Sequence, residues 1–414
     1  MGALKQYIQS FVKRGGILIA LSTFLSKFST AILSIVVVRI LTQEQYSDVA
    51  YLLSFYAILI VFAGLGGNYS LMRYGSISNS YLEKKNLYYF ALKKGVIATF
   101  FISLLCSVFF YFYSKDDFFI PFLIMSLSII TYYQLEVLKS YYRIFELNKI
   151  YARINTYSSL VSLILVLICT YLFATNGYFI GLLISPLLIF FFFSRKISQP
   201  SKLRDIFDKK KFWSYGLHTS ISAFANQIIF SIAPILIAIL STNKLEIGIF
   251  KVATIIPFNV LTLPGILMQT DFTAIAKNSN DRKYLVDYYL NYLKIFGLCS
   301  LPFFALSIYF GKEIITVIFG KEYIDAAPMF NIFMIATYFS YILRNPLGNI
   351  LLAVGKAKWN GYNTYFFCIF YIVASWLFYN QYNVYSFVYS LAIVFIFSGV
   401  VALFMFIKYL RIIK

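Results

Sequence analysis

Apolar runs of about twenty residues recur along the whole chain, separated by short polar turns. A helix rises ~1.5 Å per residue, so each run is long enough to cross a hydrocarbon core of ~30 Å. Backbone N–H and C=O groups in that medium must bond within the protein, which confines continuous runs of this kind to helices. The runs fall at about 17–38, 49–71, 95–112, 118–138, 154–174, 177–194, 214–240, 248–270, 295–310, 328–353, 362–380 and 384–407. The fifth and sixth are separated only by an Asn-Gly turn at Asn176–Gly177. The spacing therefore predicts an all-α integral membrane protein of about 12 transmembrane helices. Composition agrees: 60% of residues are hydrophobic, 13% are charged, and the mean hydropathy of +0.76 excludes an ordinary soluble domain.

The net charge of +20 does not point to nucleic acid, because the basic residues lie in short loops between the runs. Lys84, Lys85, Lys93, Lys94, Lys139, Arg143, Lys277, Arg282, Lys283, Lys356, Lys408 and Arg411 all fall in loops of one set, which outnumber the alternate loops in Lys and Arg by more than five to one. The charge bias therefore places both termini in the cytoplasm, which is consistent with an even number of spans. Met1 to Gly16 carries Lys5, Lys13 and Arg14 and suits a short amphipathic segment on the membrane surface. No small-residue cleavage site follows the first run, so it reads as a retained helix. Cys106, Cys169, Cys299 and Cys368 lie inside apolar runs and read as small core residues, with neither a disulfide framework nor a metal site suggested.

The longest basic loop, Arg195 to Phe212, splits the spans six and six. Faint echoes relate the halves: ILTQEQYSDVAY against ILSTNKLEIGIFK, and Tyr88-Tyr89 against Tyr288-Tyr289. The expected domains are an N-terminal half, 1–200, and a C-terminal half, 201–414, arranged around a central cavity as in transporters built from repeats.

Charges inside the runs are the candidate functional residues. Lys27 sits in the middle of the first run, on one helical face with Ala20, Thr23, Thr30, Ala31 and Ser34, while Leu25, Phe28, Ile32 and Ile35 fall elsewhere. A cation at mid-bilayer depth costs several kcal/mol, so it needs a wet cavity, a ligand or an ion-pair partner. Arg344 lies inside the tenth run with Thr337, Ser340, Tyr341 and Gly348, two residues before Pro346, which should kink or unwind the helix and free carbonyls. Its alternative is to reach the headgroups. Arg39, Arg73 and Lys251 stand at run ends, where snorkelling to the interface competes with a role in binding. Glu136, beside Tyr132, Tyr133 and Gln134, could hold a coupling proton or sodium ion or pair with Lys139 or Arg143; Asp271 is similar. The seventh run has a polar face of Thr219, Ser222 and Asn226 without a charge, and His218 reads as interfacial. There is no phosphate loop, no metal-ligand cluster and no sizeable loop in the alternate set, so a transporter is favoured over an enzyme.

Short segments in order along the chain then resemble one family, the O-antigen flippases of the polysaccharide-transport family, in the superfamily that also holds multidrug exporters. They are RILTQEQYS at 39–47, GLGGNYSLMRY at 64–74, YYRIFELNKIYAR at 141–153, TLPGILMQTDF at 262–272, FGKEYIDAAPMF at 319–330 and ILLAVGKAKW at 350–359. Ser47 stands where glycine is usual, and the seventh run lacks the acidic residue such proteins often have there. The resemblance implies a flippase that moves a polyprenyl-pyrophosphate-linked oligosaccharide repeat unit, for O-antigen, lipopolysaccharide or a related surface polysaccharide, from the cytoplasmic to the periplasmic face of the bacterial inner membrane. Lys27 and Arg344, with Arg39, Arg73 and Lys251, are then expected to meet the anionic head group, and Thr23, Thr30, Ser34, Asn226 and Ser340 to line the path. No cofactor is expected beyond coupling to H+ or Na+. The expected partners are the lipid-linked oligosaccharide, membrane lipids and other polysaccharide-assembly membrane proteins, and no nucleic acid. A drug or metabolite exporter of the same architecture, a membrane polysaccharide polymerase and a purely structural membrane protein remain as alternatives.

Overall fold

A computed structural model describes residues 16–78, 80–113, 118–195, 197 and 208–413. Residues 1–15 of the expected surface segment, and most of the basic loop before Phe212, lie outside the described residues. Every regular element among the described residues is a helix. In order these are α1 (Gly16–Ile40), α2 (Gln43–Leu59), α3 (Gly67–Ile77), α4 (Tyr81–Tyr113), α5 (Phe119–Ile144), α6 (Asn148–Ser194), α7 (Lys209–Leu240) and α8 (Leu245–Lys277). There follow α9 (Arg282–Tyr292), α10 (Cys299–Tyr309), α11 (Gly311–Phe319), α12 (Ala327–Phe339), α13 (Asn345–Ala353), α14 (Ala357–Leu377), α15 (Tyr379–Tyr382) and α16 (Tyr385–Ile412).

Ten segments among the described residues are long and apolar enough to cross a membrane, against the expected twelve or so. The difference has two sources. The 47-residue α6 counts once but folds back on itself at Phe173–Ala174, where Ala174 adopts φ 48° and ψ −129°. A Cβ on Gly177 would stand 1.8 Å from the Cys169 carbonyl oxygen, and one on Gly181 would stand 2.5 Å from the Val166 Cα. In a continuous helix, residues that far apart would be separated by ~10 Å or more. The reversal thus precedes the Asn176–Gly177 pair, and Gly177 serves the close approach of the two arms. The second source is α14, whose 21 residues suffice for a span but whose first half is polar, with Lys358, Asn360, Asn363 and Thr364.

The chain divides into two compact units, Met1–Leu41 with Leu52–Gln227, and Thr42–Tyr51 with Ile228–Lys414, so that α2 and α7 each pass from one to the other. In the first unit α1 packs on α6, α6 on α5 and α5 on α4. Its core is aromatic: Tyr88, Tyr133, Tyr141, Tyr142 and Phe212 are buried with Leu71, Leu87 and Leu138. Between α2 and α3 the chain leaves the helix at Ala63–Leu65, and Gly64, Leu65 and Gly66 all have positive φ. The freed Gly64 N–H is taken by Thr99 Oγ1 at 2.8 Å. Tyr133 fills the space against this break, donating its hydroxyl to the Ala91 carbonyl at 2.8 Å. A Cβ on Gly64 would lie 2.0 Å from its ring and one on Gly95 would lie 1.9 Å from its hydroxyl, so the tyrosine fits only between glycines. Gly66 likewise meets the Gly216 carbonyl, where a Cβ would come within 2.2 Å, and Ser70 Oγ donates to the Phe212 carbonyl at 2.6 Å. These contacts fix the start of α3 on the start of α7.

In the second unit α8 packs on α12 and α13, and α16 packs on α12 and α14. Two π-helical turns interrupt it, Leu293–Leu298 before α10 and Ser340–Arg344 before α13. At the latter, the Asn345 N–H bonds back to the Ser340 carbonyl, which leaves the Tyr341 carbonyl free, and Pro346 has no N–H for the Ile342 carbonyl. Tyr292 and Tyr289 donate their hydroxyls to those two carbonyls, at 2.9 and 3.2 Å. Tyr338 in turn donates to the Gly297 carbonyl of the other π turn at 3.3 Å. The segment 42–51 is held by the same unit: Gly248 N–H donates to Ser47 Oγ at 3.2 Å, Gln43 Nε2 to the Glu322 carbonyl at 3.3 Å, and Tyr46 meets Tyr323 edge to face at 6.1 Å. Of the four cysteines, expected in the core, Cys368 is buried, Cys106 and Cys169 are half-buried and Cys299 is exposed.

The packing around Tyr133 sets an expectation for stability. Gly64→Ala adds both a left-handed Cβ and a collision with the ring, for about 2–4 kcal/mol in all. Gly355→Ala, at φ +80° with nothing within 4 Å, carries only the backbone term of about 1 kcal/mol. Thermal unfolding of the two purified variants should show the larger drop in midpoint for Gly64→Ala; equal drops would mean that Tyr133 yields at no cost.

Candidate functional site

Helix α1 carries three separate faces. Ser22, Ser29, Leu33 and Val37 recur at helical spacing and are buried, and the Ser22 carbonyl accepts from Asn155 Nδ2 on α6 at 3.1 Å. Leu21, Phe24, Leu25 and Phe28 are exposed and apolar, on a face suited to lipid. The third face holds Thr23, Lys27, Thr30 and Ser34. Thr23, Thr30 and Ser34 each donate to a carbonyl one turn back in α1, at 2.8, 2.9 and 2.9 Å. Their oxygens keep lone pairs directed outward, while Lys27 is exposed and no carboxylate approaches it among the described residues. On this face Lys27 and Thr30 are exposed and Thr23 and Ser34 half-buried, and it carries one positive charge without an ion pair among the described residues.

Arg344 is set differently. It closes the π turn and reaches α14, where Nη1 donates to Asn360 Oδ1 at 2.5 Å and Nη2 to Thr364 Oγ1 at 2.7 Å. Asn360 and Thr364 are one helical turn apart, so the forked guanidinium bonds both at once. Both acceptors are neutral, so the guanidinium is oriented but its charge is not cancelled. The surroundings are polar: Asn345 Nδ2 donates to the Leu261 carbonyl at 2.9 Å, Asn363 Nδ2 to the Ser398 carbonyl at 2.9 Å, and Ser340 is buried one turn before Arg344. Such a group can meet an anion with its remaining donors without first reorganising. The sequence singled out Arg344 but missed Asn360 and Thr364; their i, i+4 spacing in an otherwise apolar run was the available signal.

The remaining predicted residues scatter. Lys251 is half-buried in α8 of the second unit, with no ion pair or hydrogen bond to its ammonium group among the described residues. Arg39 is exposed at the end of α1, and Arg73, exposed on α3, stands with its guanidinium 5.1 Å from the centre of the Tyr215 ring. Glu136 accepts from Lys139 Nζ at 2.9 Å, and Asp271 Oδ2 accepts from the Tyr288 hydroxyl at 3.1 Å. Asn226 is exposed on α7. Within the first unit lie Lys27, Thr23, Thr30, Ser34, Arg39, Arg73, Glu136 and Asn226; within the second lie Arg344, Ser340, Lys251 and Asp271. No group of three or more His, Cys, Asp or Glu side chains suited to a metal ion occurs among the described residues.

The hold on Arg344 is testable. Thr364→Val keeps shape and removes one acceptor from a guanidinium, which should lower stability by about 1.5–3 kcal/mol. The thermal midpoint of the purified variant checks this, and an unchanged midpoint would show that Thr364 contributes nothing to holding the charge.

Among solved structures, the lipid II flippase MurJ in an inward closed conformation aligns over 95% of this chain and 89% of its own, with a TM-score of 0.72 and 18% identity. An inward-facing multidrug resistance transporter of the MATE family aligns over 93% and 95%, with a TM-score of 0.71 and 14% identity. A eukaryotic MATE transporter, AtDTX14, aligns over 98% of both chains at a TM-score of 0.66 and 15% identity. At these identities the likeness shows the fold, which is that of a flippase and of transporters. The teichuronic acid biosynthesis protein TuaB of Bacillus subtilis (strain 168) is 29% identical over 164 residues, which span 39% of this chain and only 34% of that relative. The model of the polysaccharide biosynthesis protein family matches residues 12–268, more than half of the sequence, and the chain belongs to that family.

Proposed function

We propose that this protein is a flippase for a polyprenyl-pyrophosphate-linked oligosaccharide, carrying the repeat unit of an O-antigen or related surface polysaccharide from the cytoplasmic to the periplasmic face of the bacterial inner membrane. The observation that carries the reading is the pair of uncompensated cations within membrane helices. Lys27 stands exposed on a polar face of α1, and among the described residues Arg344 is bonded to neutral acceptors. A pyrophosphate cannot cross hydrocarbon unaided, and fixed cations with hydroxyl neighbours are the chemistry that offsets its desolvation. The family supplies the sugar-polymer context and the fold supplies the transporter scaffold. Transport is by alternating access of the two halves read from the sequence, 1–200 and 201–414, and H+ or Na+ is the candidate driving ion. A pump for cationic drugs would call instead for carboxylates facing its cargo, and Glu136 is already paired with Lys139.

The test is an inventory of polyprenyl-linked sugars by membrane face in cells with and without the protein. Single repeat units should accumulate on the cytoplasmic face in its absence; units that reach the far face but stay short would assign a polymerase, and an unchanged inventory would remove the flippase reading. In complemented cells Lys27→Ala should cut transport by roughly tenfold or more, the equivalent of one charge-assisted contact, at normal membrane levels, and Lys27→Arg should keep most of it. Full transport by Lys27→Ala would take Lys27 out of the mechanism.

A further inference from the structure

The second unit carries two basic clefts whose lining includes neither Lys27 nor Arg344. Both are open, and they share Asn280. One, of about 550 Å³, is lined by Lys277, Asn278, Asn280, Asp281, Arg282 and Lys283. The other, of about 570 Å³, is lined by Ser279, Asn280, Val354, Lys356, Tyr409, Ile412 and Ile413. We propose that these clefts bind the phosphate headgroup of an anionic phospholipid, with its acyl chains along the apolar wall. The proposal is independent of what the protein transports.

Four observations support it. First, four cations face one carboxylate, and that carboxylate is engaged: Asp281 Oδ1 accepts the Tyr284 N–H at 2.9 Å as the cap of α9. None of Lys277, Arg282, Lys283 and Lys356 forms an ion pair among the described residues, so their charges are available to a ligand. Second, the floor is built. Tyr409 is buried and donates its hydroxyl to the Ser279 carbonyl at 2.9 Å, tying α16 to the 278–281 turn. Lys356 Nζ is held 5.3 Å from the Trp359 ring and 5.8 Å from that of Tyr409, and Lys408 Nζ lies 5.5 Å from Trp359. Two ammonium groups on one indole are repelled by each other, and an anion between them and the turn relieves that repulsion. Third, part of the lining is an apolar wall, formed by Val354, Ile412 and Ile413. A free phosphate has no use for that wall, whereas a phosphodiester with attached chains does. Fourth, the depth is right. Candidate spans Lys321–Ala353 and Tyr385–Ile412 end at these clefts and Arg282–Tyr309 begins there, which is the level at which headgroup phosphates stand.

The experiment is native mass spectrometry of the full chain in detergent, titrated with dioleoyl phosphatidylglycerol or dioleoyl phosphatidylcholine. The wild type should bind the first phosphatidylglycerol on the order of tenfold more tightly than phosphatidylcholine. The exposed triple variant Lys277→Gln, Arg282→Gln, Lys283→Gln should lose that preference, and Lys356→Gln alone should weaken it. A control with the same change of charge in the first unit, Lys93→Gln, Lys94→Gln, Lys149→Gln, should keep it. Equal losses in the two triples would mean diffuse attraction and overturn the site. Displacement of the lipid by inorganic phosphate at comparable concentration would identify a soluble anion as the ligand and overturn the lipid assignment.

Discussion

The structure depends on the satisfaction of backbone groups where membrane helices are interrupted. In hydrocarbon an unpaired carbonyl or N–H costs several kcal/mol, so a break in a spanning helix survives only if a side chain or another segment takes up the groups it frees. The break before α3 and the two π turns have such partners. Thr99 accepts the Gly64 N–H at the break between α2 and α3. Tyr292 and Tyr289 donate to the Tyr341 and Ile342 carbonyls at the π turn, and Tyr338 donates to Gly297 at the other. Tyrosine suits the task because its ring packs as a hydrophobe while its hydroxyl reaches a full ring length away. Part of the high aromatic content, 20% of the chain, is spent on this use and not only on the headgroup belts.

Repairing a break also fixes direction. The π turn at Ser340–Arg344 adds a residue to the helix and so rotates the turns beyond it, which places the Arg344 side chain against the Asn360 and Thr364 turn of α14. With its backbone free to form a regular helix, residue 344 would sit at another angle. The tyrosines of α9 therefore bear on the candidate site although they touch no part of it. Lys27 needs no such device, because a straight α1 already presents it on a face of its own.

Periodicity made most of the architecture legible. The apolar runs located the long helices, and the stripe on α1 was readable because Lys27, Thr23, Thr30 and Ser34 recur at helical spacing. The hairpin within α6 was expected from Asn176–Gly177, but the chain turns at Phe173–Ala174, since Gly177 supplies close packing and not the reversal. The partners of Arg344 and the carbonyl caps of Tyr289 and Tyr292 were not legible, because they join residues 16 to 53 positions apart whose identities are ordinary in any membrane helix. Pro346 announced a disturbance in the helix, and only the packing determines that it becomes a π turn.

The segments that carry the family resemblance turn out to be packing segments. Tyr46 of RILTQEQYS rests on Tyr323 of FGKEYIDAAPMF, and Ser47, where glycine is usual, bonds the Gly248 N–H. The glycines of GLGGNYSLMRY admit Tyr133 and the Gly216 carbonyl. Gly355 of ILLAVGKAKW takes the positive φ that ends α13. Lys27, Lys251 and Arg344 lie outside all of these segments. Arg39, Arg73 and Asp271 lie within them, so these segments combine packing contacts with part of the candidate charge set. The same fold occurs in a lipid II flippase and in multidrug transporters, so the fold by itself does not fix a cargo. Lys27 on α1, Lys251 on α8 and Arg344 at the π turn form no ion pair among the described residues, and Asp271 on α8 is met by the hydroxyl of Tyr288.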